Sequence, residues 1–157
     1  MIQIALYKGK SWWPSRMIEW FSWSVYSHAS IVHTTSEGMM VYEAWGVGVQ
    51  KHKGWGEHEA DTPIDLFRFR EALTAVEEAD ILFAAHRELG KAYDWRGVLS
   101  FVLRRRMQAK GAWFCSELVA HCCAEAGRLL LACPDWKIMP GDIAKSPLLT
   151  PDGHARE

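Results

Sequence analysis

The chain has almost no net charge to offer a partner: 18 lysines and arginines against 19 aspartates and glutamates leave a formal charge of −1. That balance removes the usual electrostatic ground for nucleic acid or an anionic membrane surface as a partner. Long hydrophobic runs are missing as well. No window is apolar enough to span a bilayer, and the opening MIQIALYKGKSWWPSR lacks the apolar core of a signal peptide. A cytoplasmic protein with no integral membrane segment is therefore expected, unless another factor exports it. Cysteine is scarce: Cys115, Cys122, Cys123 and Cys133 form no C-x-x-C pair, so reduced thiols are expected rather than a disulfide framework. His121, Cys122 and Cys123 are adjacent, point in different directions around a helix, and cannot share one ion. Neither a metal site nor a cofactor is expected.

What remains suits one domain. A chain of 157 residues, 49% apolar and 24% charged, is an ordinary globular balance. Near this length folding hides roughly 68–70% of the chain's surface, enough to dispense with staples. A single domain over 1–150 is expected, then a polar tail, 151–157, that frays. Residues 2–7 read as a buried strand. HASIVHT (28–34) and MMVYEAW (39–45) flank turn chemistry at 35–38 and read as a hairpin, which GVGVQKH extends. IDLFRF (64–69) alternates as a half-wet strand does. Helical spacing marks 14–23 and 72–89, the latter with a stripe of Leu73, Val76, Ile81, Leu82, Ala85 and Leu89 closed by Gly90. A shorter helix over 93–106 and another over 114–126 complete the set. Strands and helices cluster rather than alternate, so the expected class is α+β, an antiparallel sheet packed against helices.

The stretch WFCSELVAHCC (113–123) raises the chemical question. On a helix starting near Phe114, Cys115, Leu118, Val119, Cys122 and Ala126 share an apolar face, with Glu117 and His121 opposite. Cys122 then reads as a small core hydrophobe. Cys115 differs by its place in the first turn, where a helix terminus favours the thiolate. That terminus supplies roughly 0.3–1 kcal/mol, enough to bring a thiol to about 7.5 and no further, so a nucleophile needs an imidazole beside it. His121 is on the wrong face, His52 and His58 fall in a polar loop, His86 in a helix and His154 in the tail. His28 and His33 are left. Centring the turn on Thr35-Ser36 pairs residues whose numbers sum to about 71, setting His28 against Glu43, with Cβ atoms about 4.5–5.5 Å apart, and His33 against Gly38. Glu43 can then orient the His28 ring for a thiol, the arrangement of covalent catalysis. On spacing alone the pair stands equally well as a cross-strand ion pair.

VYSHASIV (25–32), VYEAWGVGV (41–49), LGKAYDWRG (89–97), WFCSELVAHCCAEAG (113–127) and MPGDIAKSP (139–147) occur in that order. Together they resemble the circularly permuted, NlpC-related papain-like cysteine hydrolases of the YiiX and YaeF type, over nearly the whole chain. The resemblance implies a papain-like (permuted NlpC-type) fold with Cys115 as nucleophile, His28 as general base and Glu43 as its orienter. It also implies Tyr93 beside the nucleophile, contacting substrate or the developing oxyanion; a core tyrosine is the plainer alternative. Ser30 stands where many relatives have glycine. The activity implied is a cysteine peptidase or amidase acting through an acyl-enzyme, with a peptide or acyl-amide substrate of the peptidoglycan type. Two alternatives stay open: a lipid-directed acyltransferase or thioesterase of the lecithin–retinol acyltransferase kind, and a catalytically silent binding module. Trp12, Trp13, Trp20 and Trp23 read as core before groove, and Arg104–Arg106 as solvated surface.

Overall fold

The computed structural model describes residues 1–9, 24–55, 61–94 and 112–156. The expected helix at 14–23 with its tryptophans, nearly all of that at 93–106, and Arg104–Arg106 lie outside them. In chain order the elements are β1 (Ile2–Lys8), β2 (Tyr26–Thr35), β3 (Gly38–Trp45), β4 (Gly48–Lys53), β5 (Pro63–Phe69), α1 (Ala75–Glu88), β6 (Ala92–Tyr93), β7 (Ala112–Trp113), α2 (Cys115–Glu125), α3 (Pro140–Ile143) and β8 (Leu149–Arg156). Six strands form one antiparallel sheet in the order β4-β3-β2-β1-β5-β8. The class is α+β, as the clustered elements suggested. Among the described residues no helix is long and apolar enough to cross a membrane.

Strand alternation builds two cores. Ile2, Ile4 and Leu6 of β1, Ala29 and Ile31 of β2, and Tyr42 and Ala44 of β3 turn to the helices, packing with Ile81 of α1 and Leu118, Val119 and Cys122 of α2. The opposite face carries a smaller core of Ala5, Tyr7, Val32, Val41 and Ile64. The start of α1 is fixed by a capping box: the Thr74 hydroxyl accepts from the Glu77 N–H, and the Glu77 carboxylate accepts from the Thr74 N–H. Its buried stripe departs from the expected one, since Val76 is exposed and Ala84 takes a core position beside Ile81 and Ala85.

Three expectations are corrected. The β2–β3 turn is centred one residue later, on Ser36-Glu37, so paired residues run Ile31–Tyr42, Val32–Val41, His33–Met40 and Thr35–Gly38. Gly38, at φ +125°, and the Thr35 hydroxyl, which accepts from the Glu37 N–H, shape that tighter loop. The tail expected to fray is β8, paired along β5 from Phe69–Leu149 to Pro63–Arg156, because β5 would otherwise leave its backbone groups open. Finally, Tyr93, expected to open the helix over 93–106, lies in β6, which pairs in parallel with β7 apart from the antiparallel sheet.

Candidate active site

The β6–β7 pair sets Tyr93 beside Trp113, and the Asp94 N–H donates to the Trp113 carbonyl. The chain then enters α2 with Cys115 as its first residue and Phe114 as the cap. The Phe114 N–H donates to the Glu117 carboxylate, so a buried acid closes the helix start. Glu117, expected on the outer face, is buried because α2 packs on the sheet and also meets α1 and α3. Cys115, Cys122 and Cys123 are all buried, whereas Cys133 is exposed.

Cys115 has no exposed surface. Burial pushes its thiol up to about 12, although N–H groups of Ala29, Ser116 and Cys115 itself hydrogen-bond the sulfur and favour its charge; Glu43 adds to the rise. The expected lowering at the helix terminus is thus overturned by desolvation. The contact with Ala29 has a cause in the sheet. The β2–β3 ladder stops at Ile31–Tyr42, while β3 goes on pairing with β4 through Glu43, Ala44 and Trp45. A seam opens between β2 and β3, and the Cys115 sulfur takes up the Ala29 N–H beside it.

His28 and Glu43 meet on the face away from α2. The His28 Nε2–H donates to Glu43 Oε2 at 2.6 Å, with both side chains 3% exposed. They are diagonal neighbours rather than directly opposed, since the register extended would set His28 against Trp45, and those two rings lie 5.0 Å apart. Tyr7 packs on the other side of the imidazole, also at 5.0 Å, and its hydroxyl hydrogen-bonds Ser30 at 3.1 Å. Ser30 thereby anchors the aromatic wall of His28. Tyr93 is buried with its ring 6.1 Å from Phe114, and its hydroxyl pKa is raised by burial, then by the charges of Cys115 and Asp94. The structure therefore joins His28 to Glu43 and brings Cys115 and Tyr93 within electrostatic influence of each other. His33 pairs with Met40 and plays no part.

One residue was missed. His52 was expected in a polar loop, yet it lies in β4, paired with Val41, and its Nε2–H donates to Glu43 Oε1 at 2.8 Å. The signal was present in GVGV: a two-residue loop at Gly46-Val47 sets Trp45 against Gly48 and carries His52 onto the face of Glu43. Glu43, Trp45, Gln50, His52 and Trp55 line a cavity of about 590 Å³ on this face, which Cys115 and His28 do not line.

No family model matches the chain, and no curated protein does. Among solved structures, the crystal structure of metalloprotein yiiX from Escherichia coli O157:H7, DUF1105, superposes with a TM-score of 0.68 at 20% sequence identity, covering 99% of this chain and 96% of that one. At that identity the likeness is one of fold.

Proposed function

We propose that the chain is a cysteine hydrolase of papain-like type, in which Cys115, His28 and Glu43 cleave an amide of a peptidoglycan-type peptide through an acyl-enzyme. The observation that carries the reading is the buried His28–Glu43 hydrogen bond on one side of a seam whose other side holds the Cys115 sulfur. With Nε2 engaged by Glu43, the ring offers Nδ1 as the proton acceptor. The raised thiol pKa argues against a standing thiolate. The proton passes to His28 as the sulfur attacks the carbonyl carbon. As the sulfur bonds to carbon, the Cys115 N–H at the helix start turns from the sulfur and donates to the oxyanion, a donor worth about 10²–10³ in turnover. His28 then protonates the leaving amine and activates the water that releases the acid. Because the sulfur is fully buried, acylation requires the groups covering it to part.

The yiiX protein is described as a metalloprotein. Among the described residues of this chain no three His, Cys, Asp or Glu side chains group to hold a metal ion, and the Nε2 atoms of His28 and His52 are both spent on Glu43. The donor set does not fit an ion, and no step is routed through one.

The test is intact-mass analysis after incubation with stem peptides and, separately, acyl-lipid thioesters. An adduct on Cys115 from the peptides, absent in Cys115→Ala and His28→Ala, is the expected result. Undiminished turnover in Cys115→Ala overturns the reading, and an adduct from the thioesters alone replaces the substrate class.

A further inference from the structure

The His52 ring faces two oxygens. Its Nε2 lies 2.8 Å from Glu43 Oε1, and its Nδ1 lies 3.1 Å from the Gly54 carbonyl. A carbonyl and a carboxylate only accept, whereas a neutral imidazole has one N–H and one lone pair. In the neutral ring one nitrogen would turn its lone pair on an oxygen. Two N–H groups satisfy both contacts, and that ring is the imidazolium.

From this geometry we propose that His52 is held as an imidazolium that neutralises Glu43 and so reserves His28 as a neutral proton acceptor; its catalytic consequence rests on the hydrolase reading above. Glu43 is almost fully buried, and a carboxylate withdrawn from water needs a charged or strongly hydrogen-bonding partner. Two imidazoles compete for that part. His52, at 23% side-chain exposure, opens on the cavity and keeps contact with solvent, while His28, at 3%, would have to carry its charge in the interior. The proton therefore belongs on His52. His28 is left neutral, with its Nε2–H on Glu43 and the lone pair on Nδ1, the form a general base needs.

The other charged and titratable groups bearing on the pair are few among the described residues. Tyr7 of β1 packs on the His28 ring, and Cys115 of α2 feels Glu43 across the seam. Lys53 of β4 lines the same cavity but is exposed, so solvent screens its opposition to a second positive charge. His52 is thus a positioning residue: it acts on the reaction through Glu43 and His28.

Two measurements on the full chain test this. Long-range ¹H–¹⁵N spectra of the imidazoles at pH 7 should show both nitrogens of His52 protonated, and His28 protonated at Nε2 alone. A singly protonated His52 overturns the proposal. In His52→Gln a donor to Glu43 remains but the charge is gone. Glu43 then pulls a proton toward His28, and the acid limb of kcat/KM should move up by about 1 pH unit or more. An unmoved limb with kcat/KM reduced evenly across pH overturns it as well. Failure of the wild-type chain to form any acyl-enzyme would sink the hydrolase reading, and the spectra would still decide the charge on His52.

Discussion

At the level of single residues, the thiol of Cys115 sets two effects against each other. A helix terminus stabilises a thiolate by roughly 0.3–1 kcal/mol, reaching ~2 in favourable sites. Burial moves the same thiol from an ordinary value near 9 to about 12, a change on the order of 4 kcal/mol. The larger effect prevails, so the resting sulfur is a thiol and its reactivity waits on a base and on access. Cys133 is the exposed thiol of the four, open to a reagent in solution. Limited iodoacetamide treatment of the native protein at pH 7, followed by peptide mapping, should therefore modify Cys133 well before Cys115, Cys122 or Cys123. Labelling of Cys115 should climb about tenfold per pH unit below its pKa. A plateau of fast Cys115 labelling already present at pH 6 would mean that an ion pair with imidazole outweighs burial.

Among the elements, the β3–β4 ribbon is where one glycine determines whether the site can assemble. Gly48 has φ +142°, and a Cβ there would stand 2.2 Å from the Lys91 carbonyl oxygen, a backbone atom that cannot swing aside. That close approach docks β4 on the α1–β6 connection, where the Val49 N–H donates to Lys91 and the Gly90 N–H returns to Val49. Gly48→Ala should cost about 2–4 kcal/mol in urea denaturation, combining backbone strain with loss of buried hydrogen bonds. It should also lower any acyl transfer, because His52 rides on the same strand. A change below 0.5 kcal/mol would show that the connection gives way freely. The same ribbon shows what was legible beforehand. The β2–β3 register was misread by two in the sum of paired numbers, but side chains alternate with a period of two, so every residue kept its face. His28 and Glu43 stayed together for that reason, as diagonal neighbours. His52 was lost because, although GVGVQKH read as an extension of the sheet, its last residue borders the polar stretch 53–63 and was grouped with His58 as loop, while β4 runs on to Lys53. That Cys115 packs inward was legible from the apolar face it shares with Leu118, Val119 and Cys122, but the weight of that burial against the helix terminus was not, because it is set by the tertiary packing around the sulfur.

For the whole molecule, Asp65 decides how the two halves of the sheet hold. It sits on β5, between β1 and β8, opposite Leu6 and His154. Its carboxylate accepts from Lys8 of β1 at 3.0 Å, from the Tyr26 hydroxyl of β2 at 2.5 Å and from His154 of β8 at 2.7 Å. One side chain thus ties three other strands, including the polar C-terminal segment that composition alone marked as loose. Burial works to raise its pKa, but the hydrogen bonds from Lys8, Tyr26 and His154 and the Lys8 charge prevail and hold it below the ordinary carboxylate range. A carboxyl with a lowered folded-state pKa binds its proton more readily in the unfolded chain. Its stabilisation is present above the unfolded value near ~4 and is lost as pH falls through the folded one. Asp65→Asn keeps the shape and removes the charge, so it should cost about 1.5–3 kcal/mol at pH 7, the range for hydrogen bonds to a charged group. Urea midpoints of the two proteins should converge as pH drops below ~4, because the wild-type carboxyl then becomes neutral as well. A deficit of the same size at pH 7 and pH 3 would assign the loss to altered packing around β5, and the charge that joins β1, β2 and β8 would have no part in it.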